Sequence, residues 1–104
     1  MNWEFAPDVK RQTCLLVKKL SLNYISSGRI FCFRSFGSKS RATARIWSLP
    51  RIWQKALKTK PGYCIEVISE RFDKMSTGEK EKVLIHELKH IPKNFSGTLL
   101  GHRK

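Results

Sequence analysis

From Val9 to Ile65 the chain has no aspartate or glutamate at all, while lysine and arginine recur from Lys10 to Lys60. The 21 Lys and Arg against 8 Asp and Glu give a net charge of +13. A field so one-sided attracts nucleic acid, acidic substrates or anionic surfaces, and it also keeps a small protein in solution. Cysteine is scarce: Cys14, Cys32 and Cys64 stand far apart, odd in number and with no C-x-x-C spacing. This argues against a disulfide framework and against a thiolate zinc site. It fits a reducing cytoplasm, with Cys14 and Cys32 as buried thiols inside apolar patterns. Long apolar runs are missing too, and Glu4, Pro7 and Asp8 interrupt the first ten residues, so neither a membrane span nor a secretory signal is expected.

What is present fits one α+β domain covering residues 1–104, with 40% hydrophobic and 28% charged residues. Val9, Thr13, Cys14, Leu16, Val17 and Leu20 share one helical face, which predicts a first helix over about Phe5 to Leu22. Asp8 sits near its start, and Lys18 and Lys19 near its end. Arg29 to Arg34 reads as a strand, Ser35 to Arg41 as a turn-rich loop, and Ala44 to Leu49 as a second strand stopped by Pro50. Pro50 also opens a short helix, Arg51 to Leu57. Tyr63 to Ile68, short and β-branched between Pro-Gly and charged residues, is the strongest strand signal. Ser76 with Glu79 three residues on is a capping-box pattern, and it predicts a last helix from Thr77 to Ile91, ended by Pro92. The expected architecture is a small mixed sheet of about three strands packed on the N-terminal helix and the C-terminal one.

The last helix carries His86-Glu87-Leu88-Lys89-His90. Residues four apart lie one turn above each other, so both imidazoles project from one face with the spread that a tetrahedral Zn²⁺ requires. Glu87 is offset from that line, so it can reach a water bound to the metal rather than the metal itself. A catalytic zinc takes three protein ligands and leaves the fourth position open. No Asp, Glu or Cys follows Glu87, so the downstream candidate is His102, which the glycines and proline of the intervening segment allow to turn back. Upstream, Cys64 and Asp73 are weaker candidates. Lys93 and Ser96 occupy the positions where the compact metzincin pattern needs Gly and His.

Taken singly, each histidine reads as a surface or hydrogen-bonded residue. All three together, with Glu87 between two of them, read as a zinc site in which Glu87 acts as general base toward a peptide carbonyl. Tyr63, Arg103 and the zinc itself are candidate oxyanion stabilisers, although Tyr63 also reads as a core strand residue. The edge of strand Tyr63 to Ile68 could receive an extended peptide.

Ala44-Arg-Ile-Trp-Ser-Leu-Pro50, Tyr63 to Asp73, and Val83 to Gly97 with its Ile-Pro and Phe-Ser-Gly, closing on His102, resemble the putative phage metallopeptidase family of phages and archaea. The resemblance runs from about Ile30 onward. It implies a minimal zincin in which His86, His90 and His102 hold zinc and Glu87 is the catalytic base, acting on a protein or peptide substrate. Lys89 departs from the family pattern, which has an apolar residue there.

A second function competes with this one. The basic N-terminal two thirds, with Arg34, Lys39, Arg41 and Arg45 facing phosphates and Phe36, Trp47 and Trp53 as stacking surfaces, would serve a nucleic-acid-associated zinc-binding module, with or without protease activity. A third reading is a purely structural zinc, against which Glu87 argues.

Overall fold

The structure, a computed structural model, describes residues 2–101. Its elements run β1 (Asn2–Phe5), α1 (Pro7–Lys19), β2 (Ile30–Phe36), β3 (Ala44–Ser48), α2 (Arg51–Leu57), β4 (Tyr63–Ile68), α3 (Ser69–Phe72) and α4 (Thr77–Leu88). The mixed α+β class is as the sequence predicts, but the sheet has four strands in the order β1-β2-β4-β3. β1 is antiparallel to β2, β2 is parallel to β4, and β3 is antiparallel to β4.

The fourth strand precedes the first helix. It is β1, which overlaps the expected helix at Phe5 alone and whose four exposed residues pair with Phe36 back to Phe33 on β2; the helix itself runs Pro7–Lys19, shorter than expected at both ends. Pro7, lacking a backbone donor, occupies the first helical position of α1. Val9, Thr13, Leu16 and Val17 form the buried stripe of α1, and Lys18 and Lys19 lie in its last turn, where the helix dipole favours cations. β2 runs to Phe36, two residues past the predicted Arg34, because the strands on both sides extend its ladder.

β4 lies between β2 and β3, paired on both sides, with Ile65 and Val67 wholly inaccessible. It has no open edge, so the peptide-receiving edge expected there is corrected: among the described residues the free edge on this side of the sheet is that of β3. Helices α1 and α4 pack together with Ile30, Cys32, Tyr63, Ile65 and Val67 in one core, and Leu84, Leu88 and Ile91 complete it. Cys32 is buried, as expected. Cys14 is half-buried, and all three cysteines are free thiols. No helix among the described residues is long and apolar enough to cross a membrane.

Arg34 ties the N-terminus of α1 to the end of α3. It donates to both oxygens of Asp8 at 3.1 and 2.9 Å and to both oxygens of Asp73 at 2.9 and 2.8 Å. Its hydrogen bonds hold the Asp8 carboxyl down at about 2. Burial pushes Asp73 up, but the bonds from Arg34 and Ser69 outweigh it and leave that carboxyl lowered as well. A lowered folded pKa stabilises the fold above the unfolded carboxylate value of about 4, and that contribution is lost as pH falls toward 2. Arg34→Ala should therefore cost about 1–2 kcal/mol at neutral pH, discounted for the solvent that reaches Asp8 and Asp73. Urea unfolding at pH 7 and pH 3 checks this: the gap between variant and wild type should narrow at the lower pH.

Candidate metal site

α4 begins as its capping box requires. The Ser76 hydroxyl accepts from the Glu79 backbone N–H at 3.2 Å, and the Glu79 carboxylate accepts from the Ser76 backbone N–H at 3.1 Å. Its end departs from expectation. The α-helix stops at Leu88, and the N–H groups of His90 and Ile91 bond to Glu87 and Leu88, three residues back rather than four. His86 thus sits on the last α-helical turn, while His90 sits on the tighter turn after it. Ile91 is nonetheless buried, which is why an apolar pattern that continues past the helix gives no sign of the change.

The two imidazoles stay together: their ring centroids are 5.1 Å apart with planes at 87°. Both line, with Glu87, an open cleft of about 850 Å³ between α4 and β3, walled by Ala44, Ile46, Trp47, Val83 and Leu100. Glu87 is buried, and loss of water raises its pKa, an effect the neighbouring His90 partly offsets. A carboxylate held short of full hydration is a stronger proton acceptor than one on the surface.

A feature invisible to sequence patterns completes the arrangement. The Nδ1 of His90 lies 2.6 Å from the carbonyl oxygen of Leu100, and the Leu100 N–H donates to the His90 carbonyl at 2.7 Å. A carbonyl can only accept, so Nδ1 carries the proton, which in the neutral ring leaves the lone pair on Nε2. Backbone carbonyls orient metal-binding histidines in this way, fixing both tautomer and ring direction. A motif search reads side chains and cannot find Leu100, which acts through its backbone.

The loop that brings Leu100 back is pinned at four residues, Phe95, Ser96, Gly97 and Thr98. The Tyr63 hydroxyl donates to the Thr98 carbonyl at 2.8 Å and accepts from the Gly97 N–H at 2.9 Å. The Tyr63 ring meets Phe95 edge-on, and the Gln54 amide donates to the carbonyls of Leu49 and Ser96 at 2.8 and 3.0 Å. Tyr63 is thus a core residue whose hydroxyl is committed to the loop, which removes it as an oxyanion donor. Arg103, the other side-chain candidate, lies outside the described residues.

Two imidazoles on successive turns beside a buried carboxylate suit a borderline-soft divalent ion such as zinc. Among the described residues no group of three or more His, Cys, Asp or Glu gathers closely enough to hold a metal, and His102, the expected third ligand, lies outside them. Asp73 is committed to Arg34, and Cys64 lines a pocket with Trp3 and Phe33 on the opposite face of the sheet, so neither upstream alternative is placed at the histidines. Of the residues expected to meet phosphates, Arg34 is engaged by its two aspartates, and Arg45 bonds Glu66 at 3.1 Å. Lys39 and Arg41 lie on the segment between β2 and β3.

No curated protein and no solved structure matches the chain. A family model described as putative phage metallopeptidase matches residues 1–104, so the chain belongs to that family, whose name implies a metal-dependent peptidase.

Proposed function

We propose that this protein is a zinc-dependent peptidase in which His86, His90 and His102 hold the metal and Glu87 moves the proton. The observation that carries the reading is the convergence of His86, Glu87 and a carbonyl-oriented His90 on one cleft beside the edge of β3, which no further strand among the described residues covers. His102 follows Leu100 by two residues, so the chain returns to His90 just before the proposed third ligand.

The free edge of β3 offers its backbone donors and acceptors to an extended peptide, which would lie antiparallel or parallel to Ala44–Ser48 along the cleft. Ile46 and Val83 supply apolar wall for a substrate side chain, and Lys82 favours acidic ones. Zinc in this donor set supplies Lewis-acid polarisation of the scissile carbonyl and acidifies water. Glu87 takes the proton from the attacking water and delivers it to the departing amine, a task suited to a carboxylate whose pKa is raised by burial.

The test is metal content together with cleavage of an unfolded protein substrate. The wild-type protein should bind one zinc and lose cleavage in a chelator, with zinc restoring it. His86→Ala and His102→Ala should each abolish stoichiometric zinc. If only His86→Ala does so, His102 is not the third ligand; if the wild type binds no zinc in metal-replete buffer, the peptidase reading is lost.

A further inference from the structure

The second face of the sheet is not covered by a helix among the described residues, and its composition is unusual. Strand alternation sends Trp3 and Phe5 of β1, Phe31 and Phe33 of β2, Cys64 and Glu66 of β4, and Arg45 and Trp47 of β3 to that side. Trp3 is 53% exposed, Phe5 72%, Phe31 36% and Trp47 49%. The one aliphatic residue of this parity, Ile68, is buried at the end of β4. Among the strand residues that point to this side, none exposes a branched aliphatic side chain; the face presents rings and arginines.

The charges are placed to match. The Arg29 guanidinium lies 5.5 Å from the Phe31 ring centre, and the Arg45 guanidinium lies 5.7 Å from that of Trp47. The acid of this face, Glu66, is buried, with its oxygens accepting from Trp47 at 2.9 Å and Arg45 at 3.1 Å, so its charge is covered from the solvent side. A shallow hollow of about 310 Å³ lies between Trp3 and Trp47, over Phe33 and Cys64. Flat rings at the surface of a four-stranded sheet, in a chain of net charge +13, are the chemistry that stacks unpaired bases and draws in phosphates.

We propose that this open sheet face binds single-stranded nucleic acid, with Trp3, Phe31 and Trp47 as stacking platforms and Arg29, held by the carbonyls of Lys60 and Pro61 and with no carboxylate partner among the described residues, as the charge beside the phosphate backbone. The site lies on the other face of the sheet from His86 and His90, meeting their cleft at the β3 edge, where Trp47 borders both, and it does not depend on the peptidase reading. Duplex is excluded from stacking because its bases are already paired and stacked, so the face should discriminate by strandedness and not by sequence.

The test is fluorescence anisotropy of a labelled oligothymidylate of about 12 nucleotides, and of a duplex of equal length, against the full chain at about 50 mM salt. The single strand should bind more tightly than the duplex. Trp3→Ala and Phe31→Ala should each weaken single-strand binding by about 5- to 150-fold, the range for one base–aromatic stack, with little change for duplex. Trp3→Phe should recover most of the loss, which separates stacking from a folding defect. The proposal is overturned if the double variant Trp3→Ala/Phe31→Ala binds the single strand as wild type does, if duplex binds more tightly, or if neither binds. It is equally overturned if sedimentation shows a self-association that Trp3→Ala abolishes, since a second copy would then cover the face.

Discussion

Glu87→Gln should lower the rate of peptide cleavage by about 10²- to 10⁴-fold while the protein keeps its zinc. Glutamine has nearly the shape of glutamate but cannot take a proton, so the substitution removes the base and leaves His86 and His90 in place. Stability should move the other way. Burial raises the pKa of Glu87, so at neutral pH its charge is held in the fold at a cost, and the neutral amide should give a Tm equal to or above that of wild type in the metal-free protein. Three measurements on one preparation separate the cases: zinc stoichiometry, Tm and cleavage rate. Loss of zinc together with activity would mean that Glu87 acts on the metal and not on the proton. Unchanged cleavage would remove Glu87 from the chemistry altogether.

The parts of this fold that a single sequence discloses are those whose causes are local. Tyr63–Ile68 is read to the residue because its β-branched run is bounded by Pro-Gly and by charge, and α2 is read to the residue because Pro50 sets its start. The Ser76–Glu79 capping box places the beginning of α4 for the same reason. β1 is different. Nothing in Asn2–Phe5 distinguishes a strand from a helix entry, and its four exposed residues become a strand only through pairing with Phe33–Phe36, about thirty positions away. The buried side chain of Ile91 and the change of hydrogen bonding before it show the same limit at the site itself: an apolar period reports which side is buried, not which carbonyl each N–H chooses. His86, Glu87 and His90 were legible as a motif. The carbonyl that orients His90, the strand edge across the cleft and the aromatic face behind it all depend on chain segments that meet only after folding.

Gly97 is where the loop and the site are most tightly linked, and Gly97→Ala should have the largest effect on stability. Its φ of +91° is one that side chains with a Cβ rarely adopt. A Cβ built there would lie 2.0 Å from the Gln54 Nε2 and 2.7 Å from the Leu49 carbonyl oxygen. Gln54 cannot simply swing aside, because its amide joins Leu49 to Ser96, and the Leu49 contact is with backbone. Backbone strain and forced overpacking each cost about 1–3 kcal/mol, so a total loss of about 2–5 kcal/mol is expected in urea unfolding. The damage should also reach the metal. Gly97 donates to Tyr63, Tyr63 holds Thr98, and three residues after Gly97 the Leu100 carbonyl fixes the His90 ring. Loss of such an orienting partner weakens metal binding by about 10- to 100-fold, so zinc affinity of the folded variant should fall by that factor. Val9→Ala, a buried change on α1 far along the chain from the loop, should destabilise the protein yet leave zinc affinity unaltered. If the two variants lost zinc equally per kcal/mol of stability, metal binding would simply follow global folding, and the loop from Pro92 to Gly101 would have no separate part in orienting His90.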